Sequence, residues 1–475
     1  MKLLATCRTC SRLLLVLVTV WLLSSCSGQS SEVNNSPVSN DDRSTEEDSS
    51  SQITTPAGEE PAANPVPVDT DPQTEGESQT TDANGAPPPF EGQQETDTSD
   101  PLDDVDNQVD TEAQAQAEAD ASEEVPSRTD PITIQPAESW HLRGDANVAT
   151  TVGDTVFVGG NFTEIYNDAG GSLTRTYLAA FDRYTGEPTS FAPELDNQVF
   201  ALAVSPDNQI LYVGGSFLTA QGMPRPRIAA YSISTGLLDG FSTPPLNNSL
   251  RAIAVAGGQV YLGGLFTQVG TEDRAYLAAF DAGTGELDDS FNVSLDARVT
   301  SLVAGIDRLW LGGNFNRVNG EIQRALGAVD PVDGSYQATD DVAYPVIALA
   351  ASDSQLFIAG GGQGGRAAAF SRATGTEQWE ISSDGNFQAV DVGDGRYVYF
   401  GGHYESIEGD RRVDRLTRHD KSTGMTDYSW LPRLNGIRSI NAVDVTEDGL
   451  HIGGDFTHVN GRRHEGFAIL PGLTR

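Results

Sequence analysis

Basic residues are scarce in this chain. Its 29 Lys and Arg stand against 68 Asp and Glu, a net charge of −39. No Lys/Arg-rich stripe with interleaved aromatics appears, which excludes a nucleic-acid surface, and an anionic bilayer face would repel the chain. Cysteine is nearly absent. Cys7, Cys10 and Cys26 are the only three, all within the first 26 residues. A folded region beyond them has no disulfide and must rest on its core. Long apolar runs are missing too. The longest, Leu13–Leu23, is too short to span a bilayer comfortably. There is no Gly-x-Ser-x-Gly elbow, no phosphate-cradling glycine loop before a helix, no His-Glu-x-x-His and no EF-hand spacing.

What is present is a repeated phrase. Its cleanest copy reads Leu211-Tyr212-Val213-Gly214-Gly215-Ser216-Phe217. Diglycines begin at Gly159, Gly214, Gly263, Gly312, Gly360, Gly401 and Gly453, spaced by about 41 to 55 residues, the range of propeller repeats. Each phrase follows an alternating run such as Val199–Val204. After a longer loop comes a run such as Leu277-Ala278-Ala279-Phe280-Asp281, then a turn ending in Thr284-Gly285 and an aromatic, Phe291. Short alternating runs bounded by Gly, Asp and Asn are strands and hairpins. Four strands per unit, each unit unable to bury both faces alone, predict an all-β, seven-bladed propeller over residues 132–475. The last copy stops at Leu470-Pro471-Gly472 without a fourth strand, and an unmatched aromatic, Trp140, lies upstream of the first. Residues 132–142 are therefore expected to close the last blade and remove its open edge.

The repeats resemble the delta-60 repeat family of bacterial β-propellers. The matching residues are Gly-Gly-x-Phe, a following Arg, and Leu-Ala-Ala-Phe-Asp-x-x-Thr-Gly, as in Gly263–Gly285. That resemblance implies the fold and no single activity. The Asp-x-x-Thr-Gly turn is also similar to that of quinoprotein-type propellers, which follow it with Trp; here Trp379 and Trp430 fit.

Residues 1–26 read as an export signal. Lys2, Arg8 and Arg12 precede the apolar run, and Leu23-Ser24-Ser25-Cys26 resembles a bacterial lipobox. It implies lipidation at Cys26 and a membrane anchor, at the outer membrane if the host is diderm. An acylated Cys26 could not serve as a nucleophile. Residues 27–131 carry one aromatic, Phe90, and roughly 25 of the 39 net negative charges. Such a stretch cannot bury enough apolar surface to offset its ordering entropy, so an acidic disordered linker is expected.

Binding is expected on the face that carries the loops after strand two, which are longer and more variable than the turns opposite. Three polar sets are candidates. One follows the diglycine: Asn161, Asn314, His403 and Asp455. A second begins the innermost strands: Asp196, Asn247, Asp296 and Asp384, with Asp145. The third precedes strand three: Arg175, Arg225 and Arg274. Pseudo-symmetry would turn each set into a ring, the Asp/Asn set nearest the channel. No cofactor is expected; Ca2+, which takes six to eight oxygens, is the cation a carboxylate ring would suit. The plainer role for these residues is bonding to their own turns or laying Arg stems over aromatics. In the fifth unit Gly360–Gly365 runs straight into Arg366, so a notch in the rim is expected there.

These features point to a non-catalytic binding or scaffolding module for a protein or cell-wall polymer. The alternative is an exported hydrolase or lyase at the channel mouth, drawing a carboxylate pair from Asp196, Asp296 or Glu405. A quinone-cofactor oxidoreductase comes third.

Overall fold

The computed structural model describes residues 135–472 apart from Asp410. The export signal, Cys26 and the acidic stretch lie outside the described residues.

The described residues form seven antiparallel blades around an axis. The innermost strands are His141–Val152, Val199–Val204, Leu250–Ala256, Val299–Ala304, Val346–Ala351, Phe387–Val392 and Leu434–Val445. Each pairs with a strand carrying the repeated phrase, and that strand pairs with a third, such as Leu277–Asp281. The fourth strand is regular in blades 4 and 5, as Tyr336–Gln337 and Glu377–Ser382. In blades 1, 2, 3 and 6 it shrinks to one bridge, such as Phe280↔Leu287. There Gly, Asp, Ser and Pro break the ladder and the aromatic folds inward. Phe191 packs on Phe157 at 5.0 Å, and Phe241 on Tyr212 at 5.2 Å.

The turn between strands three and four explains its own sequence. Asp281 Oδ1 accepts the N–H groups of Gly283 and Thr284 and the Thr284 hydroxyl. Those bonds hold its carboxyl below the usual range. Gly285 closes the turn at φ +79°, a conformation that favours glycine.

The core is divided into seven clusters, each shared by two neighbouring blades. At the seam of blades 7 and 1, Phe181 stacks on Phe467 at 5.2 Å. At that seam His451 takes the place filled by an aromatic in the other blades. Its Nδ1 bonds Asp444 at 2.7 Å, and Asp444 also accepts the Thr151 hydroxyl of blade 1 at 2.5 Å. The upstream segment does lie along blade 7, as expected. The Ala137 N–H donates to Ile469 O at 2.9 Å, and Leu142 N–H to Glu465 O at 2.8 Å. It makes no regular ladder. Trp140 reaches instead to blade 1, donating its indole N–H to Glu187 at 3.0 Å.

Candidate functional site

Every innermost strand breaks register at the same relative place, and the two longest, His141–Val152 and Leu434–Val445, also break nearer their starts. The breaks fall between Ala146 and Val148, Val199 and Ala201, Leu250 and Ala252, Val299 and Ser301, Val346 and Ala348, Phe387 and Ala389, and Ile440 and Ala442. A bulge adds one residue that has no partner opposite and re-aims its side chain. The seven added residues are Asn147, Phe200, Arg251, Thr300, Ile347, Gln388 and Asn441. All seven line one central cavity of about 590 Å3.

The diglycine exists because of this bulge. The second glycine lies against the backbone just before the extra residue. A Cβ on Gly264 would sit 2.4 Å from Ser249 O, and one on Gly215 2.2 Å from Gln198 O. The first glycine makes room for the next blade: a Cβ on Gly263 would meet Val299 at 2.7 Å. In blade 5 the register places Ala359 and Gly360 at these two positions, one residue earlier than the diglycine in the sequence.

The collar is heterogeneous. The Arg251 guanidinium lies over the Phe200 ring, 3.6 Å from its centroid. Asn147 donates to Val199 O of blade 2 at 3.0 Å, and the Thr300 hydroxyl to Val346 O of blade 5 at 2.6 Å. Side chains of the collar thus also tie neighbouring blades. Asp145, Asn161, Gln198, Ser439 and Asp455 surround the mouth, at the strand-two end. Beyond the collar the wall is aliphatic, with Ile253, Leu302, Leu349 and Val390. Arg251 is the one cation among the described residues of this lining.

The sequence candidates divide accordingly. Asn161, Asp455 and Asp145 line the mouth. Asp196, Asn247, Asp296 and Asp384 do not line it, and form no ring over it. Each accepts two successive backbone N–H groups from the hairpin of its own blade. Asp196 takes those of Leu218 and Thr219, Asn247 those of Thr267 and Gln268, Asp296 those of Asn316 and Arg317, and Asp384 those of Glu405 and Ser406. Burial pushes the Asp196 and Asp384 carboxyls up, but these N–H groups outweigh it and hold both below the ordinary value. The structure therefore puts this set on hairpin support.

The remaining candidates lie away from the channel. Arg175, Arg225 and Arg274 bond to backbone of their own strand-two loops, Arg175 to Thr174 O at 2.9 Å, Arg225 to Pro224 O at 2.9 Å and Arg274 to Asp273 O at 3.0 Å. Arg274 pairs with Asp289 at 3.2 Å. Asn314 accepts from Arg298 at 3.4 Å, His403 is exposed, and Glu405 pairs with Arg415 at 2.8 Å. Among the described residues no group of three or more His, Cys, Asp or Glu is placed to hold a metal ion. His419 is fully buried, its pKa lowered to about 4 by burial. A cavity of about 490 Å3 opens at blade 5, lined by Asp341, Tyr344, Gln363, Arg366, Glu377 and Glu380, where the notch was expected.

These features define the class: a seven-bladed β-propeller with a side-chain collar at one channel mouth. No family model and no curated protein matches the chain. Among solved structures, one described as U3-55K superposes with a TM-score of 0.51 at 11% identity, over 71% of this chain and all of that one. A computationally designed protein, Ika8, gives 0.45 at 13% identity, over 71% of this chain and 99% of that one. The first likeness shows the fold and nothing of the activity.

Proposed function

We propose that the chain is a non-catalytic binding or scaffolding propeller, exported and anchored by a lipid on Cys26, that engages a protein or cell-envelope polymer through its strand-two face. One observation carries the binding reading. Seven bulges aim side chains of six different types at a single axis, on the face where the hairpins project. A rigid ring with a variable, mixed polar and apolar lining is the construction of a recognition site. The carboxylates considered for hydrolysis are committed elsewhere, Asp196 and Asp296 to backbone N–H groups and Glu405 to Arg415.

Photo-crosslinkers at Asn167 and Gln363, on the rim, with a control at Asn208 on the opposite face, test the surface in native cells. A discrete partner captured from the rim sites alone is expected. Capture from Asn208 alone overturns the choice of face. Cys26→Ala is expected to abolish metabolic acyl labelling and release the chain from the membrane fraction. An unlipidated parent chain would sink the anchor.

A further inference from the structure

We infer that blade 5 binds an extended, lysine- or arginine-bearing segment of a partner protein in the place of the hairpin it lacks. The inference rests on the binding reading above and names the partner segment and its seat on the strand-two face.

The other blades define the seat. In blades 3, 4 and 6 the hairpin after strand two lies against the connector that enters the innermost strand, and an N–H of its turn donates to a connector carbonyl. Gly270 donates to Pro245 O at 2.8 Å, Asn319 to Ser294 O at 2.8 Å and Glu408 to Ser382 O at 2.9 Å. The same bond recurs in blades 2 and 7. Two connectors also return a bond, Asn247 N–H to Gln268 O and Asp384 N–H to Ser406 O. In blade 5 the strand-two segment turns straight into Arg366, and Gly360 pairs with it. The matching connector groups there are Asp341 O and the Ala343 N–H. No group of the described residues bonds either one. The carboxylate that clasps the hairpin is gone as well: Ala343 stands where Asp296 and Asp384 stand in blades 4 and 6.

The core of blade 5 is nonetheless filled. A Cβ on Gly360 would lie 2.6 Å from the Tyr344 ring, as one on Gly313 would lie 3.1 Å from Phe315 and one on Gly402 3.0 Å from Tyr404. An aromatic from the connector thus takes the place of the one lost with the hairpin, and Val342 beside it is buried. What stays open is the place of the hairpin itself, a cavity of about 490 Å3 lined in part by Asp341, Ala343 and Tyr344. An exposed backbone acceptor and donor two residues apart are what an added strand pairs with.

Charge selects the occupant. Asp341, Glu377 and Glu380 line the cavity against one guanidinium, Arg366, which pairs with Glu380 at 3.4 Å. Asp341 accepts the Arg324 N–H at 2.8 Å. The Glu377 carboxylate has no ion pair among the described residues. Desolvation, then the charges of Glu380 and Asp340, hold it above the usual carboxyl value. A ligand cation beside Glu377 favours its charged form and offsets that repulsion. Residues 27–131 of this chain are strongly acidic and would be repelled from the cavity, so the segment belongs to a partner.

The test is fluorescence anisotropy of the full chain with a labelled peptide, Thr-Val-Lys-Val-Lys-Val-Thr, capped at both ends. Its partners are the peptide with Glu in place of Lys and a Lys peptide N-methylated along its centre, which keeps the charges but loses backbone donors. The Lys peptide is expected to bind and the Glu peptide to fail. N-methylation should weaken binding about tenfold or more, the scale of two lost hydrogen bonds. Glu377→Gln should weaken it about threefold, the scale of one exposed ion pair. A melting curve matching the parent shows that this variant folds. A photo-crosslinking group on the Lys peptide should label residues 341–366. Equal binding of the Lys and N-methylated peptides, or unaltered binding to folded Glu377→Gln, overturns the inference. Labelling confined to residues 27–131 overturns it too, because the acidic stretch is then the site. No peptide binding, with a partner captured at a rim crosslinker, overturns the inference alone. No peptide binding and no capture overturn both readings.

Discussion

At the residue scale, each glycine of the repeated phrase answers a distance. Gly264→Ala would place a Cβ 2.4 Å from Ser249 O, so the bulge behind Arg251 must shift. A loss of roughly 2 kcal/mol or more is expected, as for other sites where a close backbone approach is violated. Gly240→Ala is the control, because no atom lies within 4 Å of its Cβ. Chemical denaturation of both variants checks this, and equal losses would refute the account of the diglycine.

Two titrating groups pull the pH profile in opposite directions. His419 has its pKa lowered to about 4 by burial. Its folded value lies below the unfolded one, so its contribution is complete above about pH 6.5 and is lost as pH falls to 4, up to roughly 3 kcal/mol. Asp391 is raised to about 7 by burial and then by the neighbouring Asp444 charge, against the N–H groups of Val445 and Val392. Its folded value lies above the unfolded one, so its ionised form is a penalty that fades as pH falls from 7 towards 4. The penalty is below roughly 4 kcal/mol, since Asp391 keeps partial solvent contact. Asp391→Asn should therefore melt higher than the parent at pH 8, with most of the gain lost by pH 5 and the rest near pH 4. A gain of the same size at both pH values would remove Asp391 as the cause.

At the element scale, the hairpins after strand two are held by single carboxylates. Asp296 Oδ1 takes the Asn316 N–H at 2.7 Å and the Arg317 N–H at 3.1 Å. Asp296→Ala leaves both donors to water and should cost about 1 to 2 kcal/mol locally. Limited proteolysis should cut the Arg317–Ile322 hairpin faster than in the parent. An unchanged cleavage rate would remove Asp296 as the support of this hairpin.

At the scale of the molecule, seven blades meet at one seam where the chain must close on itself. There Ala137 N–H bonds Ile469 O, and His451, Asp444 and Thr151 replace an aromatic pair. Removing residues 132–140 takes away the Ala137 bond and exposes the outer edge of blade 7. The melting temperature should fall by several degrees, with association that grows with concentration. Identical melting and a monomeric truncated chain would show that the upstream segment contributes nothing to closure.

The blades are legible in the sequence because their signals are local. Leu-Tyr-Val-Gly-Gly and the turn closed by Thr284-Gly285 each specify a hairpin through their own neighbours, and repetition multiplies the signal. The seam is half legible: the missing last strand shows, but the reach of Trp140 to blade 1 does not. The collar is not legible at all. Asn147, Phe200, Arg251, Thr300, Ile347, Gln388 and Asn441 have only one type in common, the two asparagines, so they leave no trace in a search for alike residues. Asp196 and its counterparts are alike, and that likeness marks a shared duty to the hairpin backbone. Sequence alone determined the number of blades and their turns, since those depend on contacts between near neighbours in the chain. Only the tertiary structure decided which residues meet. Residues about fifty positions apart converge on one axis only once the ring has closed, and the bulge that points them inward is a property of paired strands.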